Sequence, residues 1–89
     1  MARRFEPADN VVTAEVEGQT VLLDTKANKY FRVNAVGTMV WQLLSKGMTE
    51  EEISQAVSGN FQAPIERVTA DIRNLLDQLA AKGLVRELG

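Results

Sequence analysis

The hydrophobic pattern of this chain changes its period once, at Asn34. Before this residue, apolar and polar side chains alternate over short runs, which is typical of β-strands. After it, apolar side chains recur every three or four residues, which is typical of α-helices. A chain of 89 residues has room for one domain with one core. The sequence therefore predicts strands first and helices second, packed in a single α+β unit.

Three strands are predicted over residues 11–16, 20–24 and 29–33. In the first strand, Val12, Ala14 and Val16 share one face and alternate with polar residues. Glu17-Gly18 and the polar run "TKAN" at 25–28 are turn signals, and such short connections favour an antiparallel meander. Residues 1–10 are predicted to be a flexible N-terminal lead-in, and residues 11–89 the folded domain.

Three helices are predicted after the strands. Asn34 can cap the first helix, and Lys46-Gly47 can end it. The run "TEEE" at 49–52 fits a capping box at the start of a short second helix that stops near residues 58–59. Phe61 is expected to follow in a loop and to insert into the core. Pro64 suits the first position of the third helix, and Gly83 closes it. The order βββααα predicts a winged-helix-like fold with a three-stranded antiparallel sheet followed by three helices.

The composition argues against an enzyme. The chain has no histidine and no cysteine, which removes the commonest general bases, the thiol nucleophile and soft metal ligands. The three glutamates at 50–52 are better explained as acids that complement a helix N-terminus than as a metal site. The scattered glycines form no phosphate-binding loop. We therefore expect no catalytic residue, no metal and no cofactor.

Charge and hydropathy bear on the other classes of partner. The net charge is −2, the second helix has three glutamates and no basic residue, and the third is balanced in charge. A helix that reads DNA is normally basic, so we expect no nucleic-acid partner. No apolar run approaches the ~20 residues of a membrane span, and the N-terminus lacks the apolar region of a signal peptide. The expectation is a cytoplasmic monomer without a membrane partner.

The third strand is the predicted strand that most suggests a binding role. It is an edge of the meander. An edge strand with aromatic side chains is normally covered by another part of the protein or pairs with a partner. By alternation, Phe31 and Val33 share one face, whereas Tyr30 and Arg32 point the other way. We expect Phe31 in the core, where its truncation would cost about 3–5 kcal/mol. Core packing alone does not explain Tyr30 beside an open edge.

The segments "VLLDTKANKYFRVNAVGTMVWQLL", "TEEEI" and "ADIRNLLDQLAAKGLV" resemble the PqqD-like family, also called RiPP recognition elements. The likeness spans about residues 11–88 and rests on the order and spacing of Leu22-Leu23-Asp24, Tyr30-Phe31, Val33-Asn34, Gly37 and the late Asp71–Val85 pattern. Val33 replaces the usual leucine, and Ala27-Asn28 replaces a turn that often contains glycine. The free-standing form associated with lasso peptides is most similar.

The resemblance implies a non-catalytic module that binds the leader region of a ribosomally made, post-translationally modified peptide precursor. The leader would add as a strand to the third strand and contact the third helix. A leader peptidase or another modifying enzyme would be the second partner. The peptide-binding residues implied in this way, with the flank of the third helix chosen by helical spacing, are Lys29, Tyr30, Phe31, Arg32, Val33, Val68, Asp71, Ile72, Leu75 and Gln78.

Two alternatives remain open at the level of sequence. One is the pyrroloquinoline quinone pathway member of the same family, which presents its precursor to a radical SAM enzyme. The other is a winged-helix DNA-binding protein, which the fold would permit and the charge distribution disfavours.

Overall fold

A computed structural model describes residues 2–88 of the chain. It has five strands and three helices in this range: β1 (Arg4–Pro7), β2 (Val11–Val16), β3 (Gln19–Asp24), β4 (Lys29–Val33), α1 (Ala35–Ser45), α2 (Glu50–Phe61), α3 (Ile65–Ala81) and β5 (Val85–Leu88). Among these residues, none of the helices is both long and apolar enough to cross a membrane.

The strands β2, β3 and β4 form the antiparallel meander that the sequence predicted. Their order in the sheet follows the chain, and the register aligns Val12 with Leu23 and Leu23 with Tyr30. Glu17 and Gly18 both have positive φ angles, 54° and 79°, which suits the tight turn between β2 and β3. The prediction of a three-stranded antiparallel sheet followed by three helices is confirmed.

The N-terminal segment differs from the flexible lead-in that the sequence predicted. Residues 4–7 form β1, which pairs antiparallel with β5, a strand that the sequence analysis also missed. Phe5 is 1% exposed and belongs to the core. The prediction was wrong because β1 contributes a single large apolar side chain, and its partner strand lies at the other end of the sequence. A two-stranded ribbon is stable here because helices cover it.

The predicted starts of α1 and α2 are confirmed, whereas Pro64, expected at the first position of α3, is its N-cap, and Ile65 is the first helical residue. Asn34 Oδ1 accepts a hydrogen bond from the Gly37 amide at 2.8 Å. Thr49 and Glu52 form a reciprocal capping box, in which each side chain accepts from the other residue's backbone N–H. The helix α3 ends in a Schellman motif, since the amide of Leu84 donates to the carbonyl of Leu79.

The end of α2 differs from the prediction. This helix continues to Phe61 instead of stopping near residues 58–59, and Gln62 then takes a left-handed conformation with φ 52°. Phe61 is therefore the last helical residue, and 40% of it is exposed. The expectation that Phe61 inserts into the core was wrong, because Val57, one turn earlier, already occupies the core-facing position of α2.

One face of the sheet packs on the helices and the other faces outward. Leu22 is fully buried, and it joins α1, α2, α3 and both strands of the ribbon in one core. The neighbouring row, Val12, Leu23 and Tyr30, lies on the outward face and is exposed. The apolar face of β2 is therefore the outward one, because Val12 is in register with Leu23 and not with the buried Leu22.

Asp24 organises the turn that leads into β4. Its Oδ1 accepts hydrogen bonds from the side-chain amide of Asn10 at 2.8 Å and from the backbone N–H groups of Lys26 and Ala27 at 3.0 and 3.1 Å. These donors favour the ionised form, so they lower the pKa of Asp24, the Asn10 bond being the largest cause. The aspartate of the "LLD" segment thus has a structural role, which is to fix the start of β4.

The hydrogen bonds of Asp24 predict an acid-sensitive contribution to stability. Because the pKa of Asp24 is lower in the folded chain, this contribution is fully present above the pKa of the unfolded chain, about 3.9, and is lost as the pH falls through the folded value. The free energy of unfolding should therefore differ most between the parent protein and Asp24→Asn at neutral pH. Urea titrations from pH 7 to pH 3 should show this difference shrinking below about pH 5. A difference independent of pH would contradict the role assigned to the carboxylate.

Candidate functional site

The strand β4 has one edge that is open. It pairs with β3 on one side, and no strand among residues 2–88 pairs with its other side. The N-terminal segment could have covered this edge, but it pairs with β5 instead. The outer edge of β4 therefore presents backbone N–H and C=O groups that are free to pair with an added strand.

A groove of about 450 Å³ runs between β4 and the C-terminal half of α3. Its volume lies in the range of about 300–1,000 Å³ that is usual for ligand sites. The strand supplies one wall, the helix supplies the other, and the N-terminal turn of α1 closes one end. The residues that line the groove are Tyr30, Phe31, Arg32, Val33, Asn34, Gly37, Leu75, Gln78, Leu79, Lys82 and Leu84.

The groove is apolar at its floor and basic at its rim. Leu79 and Leu84 are buried, whereas Tyr30 is 69% exposed. Within residues 2–88, the charged side chains that line the groove are Arg32 and Lys82. Lys82 Nζ lies 5.1 Å from the centroid of the Phe31 ring, which is a cation–π contact between the two walls. Such a groove suits an extended segment that has apolar side chains and at least one acidic group.

The structure brings together six of the ten residues that the sequence analysis assigned to a peptide site. Those in the groove are Tyr30, Phe31, Arg32, Val33, Leu75 and Gln78. Lys29 is exposed at the start of β4 and does not line the groove. The other three, Val68, Asp71 and Ile72, lie nearer the N-terminus of α3 and line a separate pocket.

Phe31 differs from its expected position in the core. It is half-buried, packing against the core cluster on one side and lining the groove on the other. The prediction that it is fully buried was wrong because β4 is an edge strand, and no further strand covers its outer side in the described part of the chain. Truncation of Phe31 should therefore cost less than the about 3–5 kcal/mol of a fully buried aromatic.

Sequence reasoning missed five residues that line the groove: Asn34, Gly37, Leu79, Lys82 and Leu84. Leu79 and Leu84 are buried near the end of α3, and an apolar residue in such a pattern normally indicates core packing. Lys82 carried a signal that could have been used, because it is the basic residue at the end of the helical stripe that contains Leu75 and Leu79.

Gly37, in the first turn of α1, lies against Val33, the last residue of β4. A Cβ built on Gly37 would lie 3.0 Å from Val33 Cβ and 3.4 Å from Asn34 Oδ1. Carbon atoms at optimal contact are about 3.5–4.0 Å apart, so a methyl group here would push the end of β4 away from α1. The missing side chain of Gly37 thus sets the spacing between the helix and the edge strand at one end of the groove.

Comparison with known proteins identifies the family. The family described as Coenzyme PQQ synthesis protein D (PqqD) matches residues 19–85, which include β3, β4, all three helices and the start of β5. The chain belongs to the PqqD family. No curated protein matches it.

Three solved structures resemble this PqqD-family protein. "TbiB1 in Complex with the TbiA(beta) Leader Peptide" is 34% identical, with a TM-score of 0.85 over 91% of this chain and 94% of that one. "Lasso peptide synthetase B1 complexed with the leader peptide" is 20% identical, with a TM-score of 0.87 over 93% and 98%. The PqqD truncation of Methylobacterium extorquens PqqCD, described as a stand-alone RiPP recognition element, is 23% identical, with a TM-score of 0.77 over 92% and 87%. The last two likenesses concern the fold alone.

A pair of glycine substitutions tests how α1 and β4 are spaced in this PqqD-family protein. Replacing a helical glycine with alanine normally stabilises by about 0.5–1 kcal/mol. Gly59→Ala should show this gain, because nothing lies within 4 Å of the added methyl group. Gly37→Ala should instead lose about 1–3 kcal/mol through overpacking against Val33. Thermal melts of the two variants check this prediction, and an equal rise in Tm for both would show that the approach of α1 to β4 is not tight.

Proposed function

We propose that this chain is a non-catalytic module that binds the leader peptide of a ribosomally synthesised, post-translationally modified peptide. The leader adds as an antiparallel strand to the outer edge of β4, and its side chains enter the groove between β4 and α3. The observation that carries this proposal is the open edge of β4 beside a groove of about 450 Å³. Strand addition of this kind takes its affinity from main-chain hydrogen bonds and its specificity from pockets for alternate side chains.

The side chains around the groove suggest what the leader carries. Alternate leader residues face the groove, where Leu75, Leu79 and Val33 offer apolar contacts. Arg32 and Lys82 lie at the rim and favour an acidic leader residue. Tyr30 is exposed and can pack its ring along the added strand while its hydroxyl stays in water.

The similar structures support this function and its lasso-peptide version. The structure at 34% identity is a complex with a leader peptide, and another of the same fold is a lasso peptide synthetase B1, also with a leader peptide. We therefore propose that the precursor is of the lasso type. The pyrroloquinoline quinone version remains the alternative within the family.

The module performs no chemistry in this proposal. By holding the leader it raises the effective concentration of the precursor at a leader peptidase or another modifying enzyme. A leader that is disordered when free loses conformational entropy when it binds. This loss offsets part of the interaction free energy, so we expect the affinity to be modest for the area that is buried. Monomeric behaviour in solution stays a prediction.

Charge reversal at the groove tests the proposed site. The probe is a fluorescein-labelled synthetic peptide with the leader sequence of a precursor encoded beside this chain. Arg32→Glu and Lys82→Glu should each weaken its binding about threefold to tenfold, because a favourable charge at the rim becomes repulsive. Fluorescence polarisation measures the Kd, and the loss should diminish at high salt.

Lys46→Glu is the matched control for these variants, because Lys46 is exposed at the end of α1 and does not line the groove. It makes the same change in net charge and should leave the Kd unchanged. Equal losses for all three variants would mean that net charge, not the groove, governs binding. Saturable binding of duplex DNA instead of the leader would revive the winged-helix alternative.

A proline scan of the leader tests strand addition. Proline cannot donate a backbone hydrogen bond, and in an antiparallel pair only every second residue directs its N–H toward the neighbouring strand. Proline should therefore strongly reduce binding at every second position of the paired segment and reduce it less at the positions between them. Alanine at the same positions controls for the loss of each side chain. If proline and alanine weaken binding equally at the same positions, only the side chains contribute to binding, and the leader does not form a β-ladder with β4.

A further inference from the structure

Asn34 is the residue at which the edge strand ends and the first helix begins. It is the N-cap of α1, and its backbone is still extended, with φ −78° and ψ −175°. It therefore continues the direction of β4 for one residue beyond Val33, the last residue of that strand. Asn34 is exposed to solvent and lines the groove. One residue is thus placed to serve both the fold and a bound peptide.

The helix α1 uses the two oxygen atoms of Asn34. Its side-chain Oδ1 accepts a hydrogen bond from the amide of Gly37 at 2.8 Å, and its main-chain carbonyl accepts one from the amide of Thr38 at 2.8 Å. Because a backbone N–H donates to the oxygen of a carboxamide and not to its nitrogen, the Gly37 bond also fixes which end of the side chain is Nδ2. This Nδ2 group has two N–H donors and makes no hydrogen bond within residues 2–88.

The bond to Gly37 holds the free amino group in a defined position. Gly37 belongs to the first turn of α1, so the carboxamide of Asn34 is attached to a rigid element at its oxygen end. A side chain that is already ordered loses little further conformational entropy when its other end binds a ligand. The Nδ2 group is therefore a preorganised donor at the end of the groove.

An added strand needs a donor at this point. Within the paired segment, the carbonyl groups of the leader that face the protein meet N–H groups of β4. This ladder stops where β4 ends, at Val33. A further carbonyl that loses water beside the apolar floor of the groove is destabilising unless it finds a donor. Nδ2 of Asn34 is the side-chain donor that follows Val33 directly in the chain.

We propose that Nδ2 of Asn34 donates a hydrogen bond to a main-chain carbonyl of the leader, within one residue of the leader position that pairs with Val33. The bond extends the β-ladder past the end of β4. This inference rests on the proposed function and adds to it a side chain that binds the peptide backbone. Because every residue has a main-chain carbonyl, this contact supports strand addition whatever side chains the leader carries there.

Two substitutions separate the two roles of Asn34. Serine, aspartate and asparagine are about equally good N-caps, so Asn34→Ser and Asn34→Asp should leave the Tm of the protein unchanged. Both remove the Nδ2 donors. The probe is the fluorescein-labelled leader of the precursor encoded beside this chain. Its Kd should rise about threefold to tenfold in both variants, as expected for the loss of one hydrogen bond.

Asn74→Ser is the matched control for Asn34→Ser. Asn74 is exposed on α3 and does not line the groove. This variant makes the same exchange of side chains and should leave the Kd unchanged.

Ester bonds in the leader identify the acceptor. An ester keeps every side chain of the peptide but makes the carbonyl a weaker acceptor, and the proline scan supplies the positions to replace. At the proposed position, the ester should weaken binding to the parent protein. The same ester should cost less in Asn34→Ser, because its donor is already absent. The double-mutant cycle cancels the loss of the following N–H, which occurs with both proteins.

The possible results separate this inference from the proposed function. An unchanged Kd in both Asn34→Ser and Asn34→Asp would overturn the inference and leave Asn34 as a helix cap alone. A loss confined to Asn34→Asp would also overturn it, because the added negative charge would explain that loss. Coupling of Asn34→Ser to an alanine substitution in the leader, and not to an ester, would show that Nδ2 binds a leader side chain instead.

All three of these contrary results would leave leader binding by β4 intact. The proposed function has a different failure. If the parent protein binds neither this leader nor overlapping fragments of its precursor, the proposed function is wrong, and the role of Asn34 in binding is wrong with it.

Discussion

The ion pair between Arg3 and Glu50 joins the first residues of the chain to the start of α2. Arg3 Nη2 lies 2.7 Å from Glu50 Oε1, and Arg3 Nε lies 3.2 Å from Oε2, so the contact is bidentate. Glu50 is 6% exposed, and its hydrogen bonds raise the pKa of Arg3 above its already high ordinary value. Within the described residues, loss of Arg3 would leave the buried Glu50 carboxylate with Arg73 alone, whose Nε lies 3.7 Å away, and a buried charge with a weakened partner is destabilising. The pair joins the start of β1 to α2 while β1 pairs with β5, so this segment does not cover the edge of β4.

The groove depends on two elements that are held at a fixed distance from this open edge. Gly37 allows α1 to approach Val33 closely, and the Schellman motif at Gly83 turns the chain so that Leu84 returns toward Leu79. Both features, the close packing at Gly37 and the turn at Gly83, depend on backbone conformation and do not involve side-chain charges. The electrostatic character of the groove comes from Arg32 and Lys82. Arg32 belongs to β4 alone, whereas Lys82 also contacts the Phe31 ring and caps α3, so a change at Lys82 affects the packing of the groove as well as its charge.

The features that could be predicted from the sequence are those with local signals. The meander follows from alternation and turn residues, and the starts of α1 and α2 follow from Asn34 and Thr49. The pairing of β1 with β5 could not be predicted, because short strands about 80 residues apart leave no periodic pattern to connect them. Some of the residues assigned to a peptide site line the groove. Helical spacing placed Leu75 and Gln78 on the flank of α3 that faces the groove, but it could not show that α3 borders two cavities, with Asp71 and Ile72 in the second.

The β1–β5 ribbon also determines how this domain can be joined to others. Arg4 pairs with Leu88, so the two ends of the described chain lie side by side. Leu88 is four residues beyond Leu84, which lines the groove, so the strand carries the chain about 13 Å from it. A protein attached to either end would start from nearly the same point and reach the groove over a similar distance. Neighbouring ends are also what permits a domain to be inserted into a loop of a larger protein, or to be circularly permuted, without rearrangement of its core.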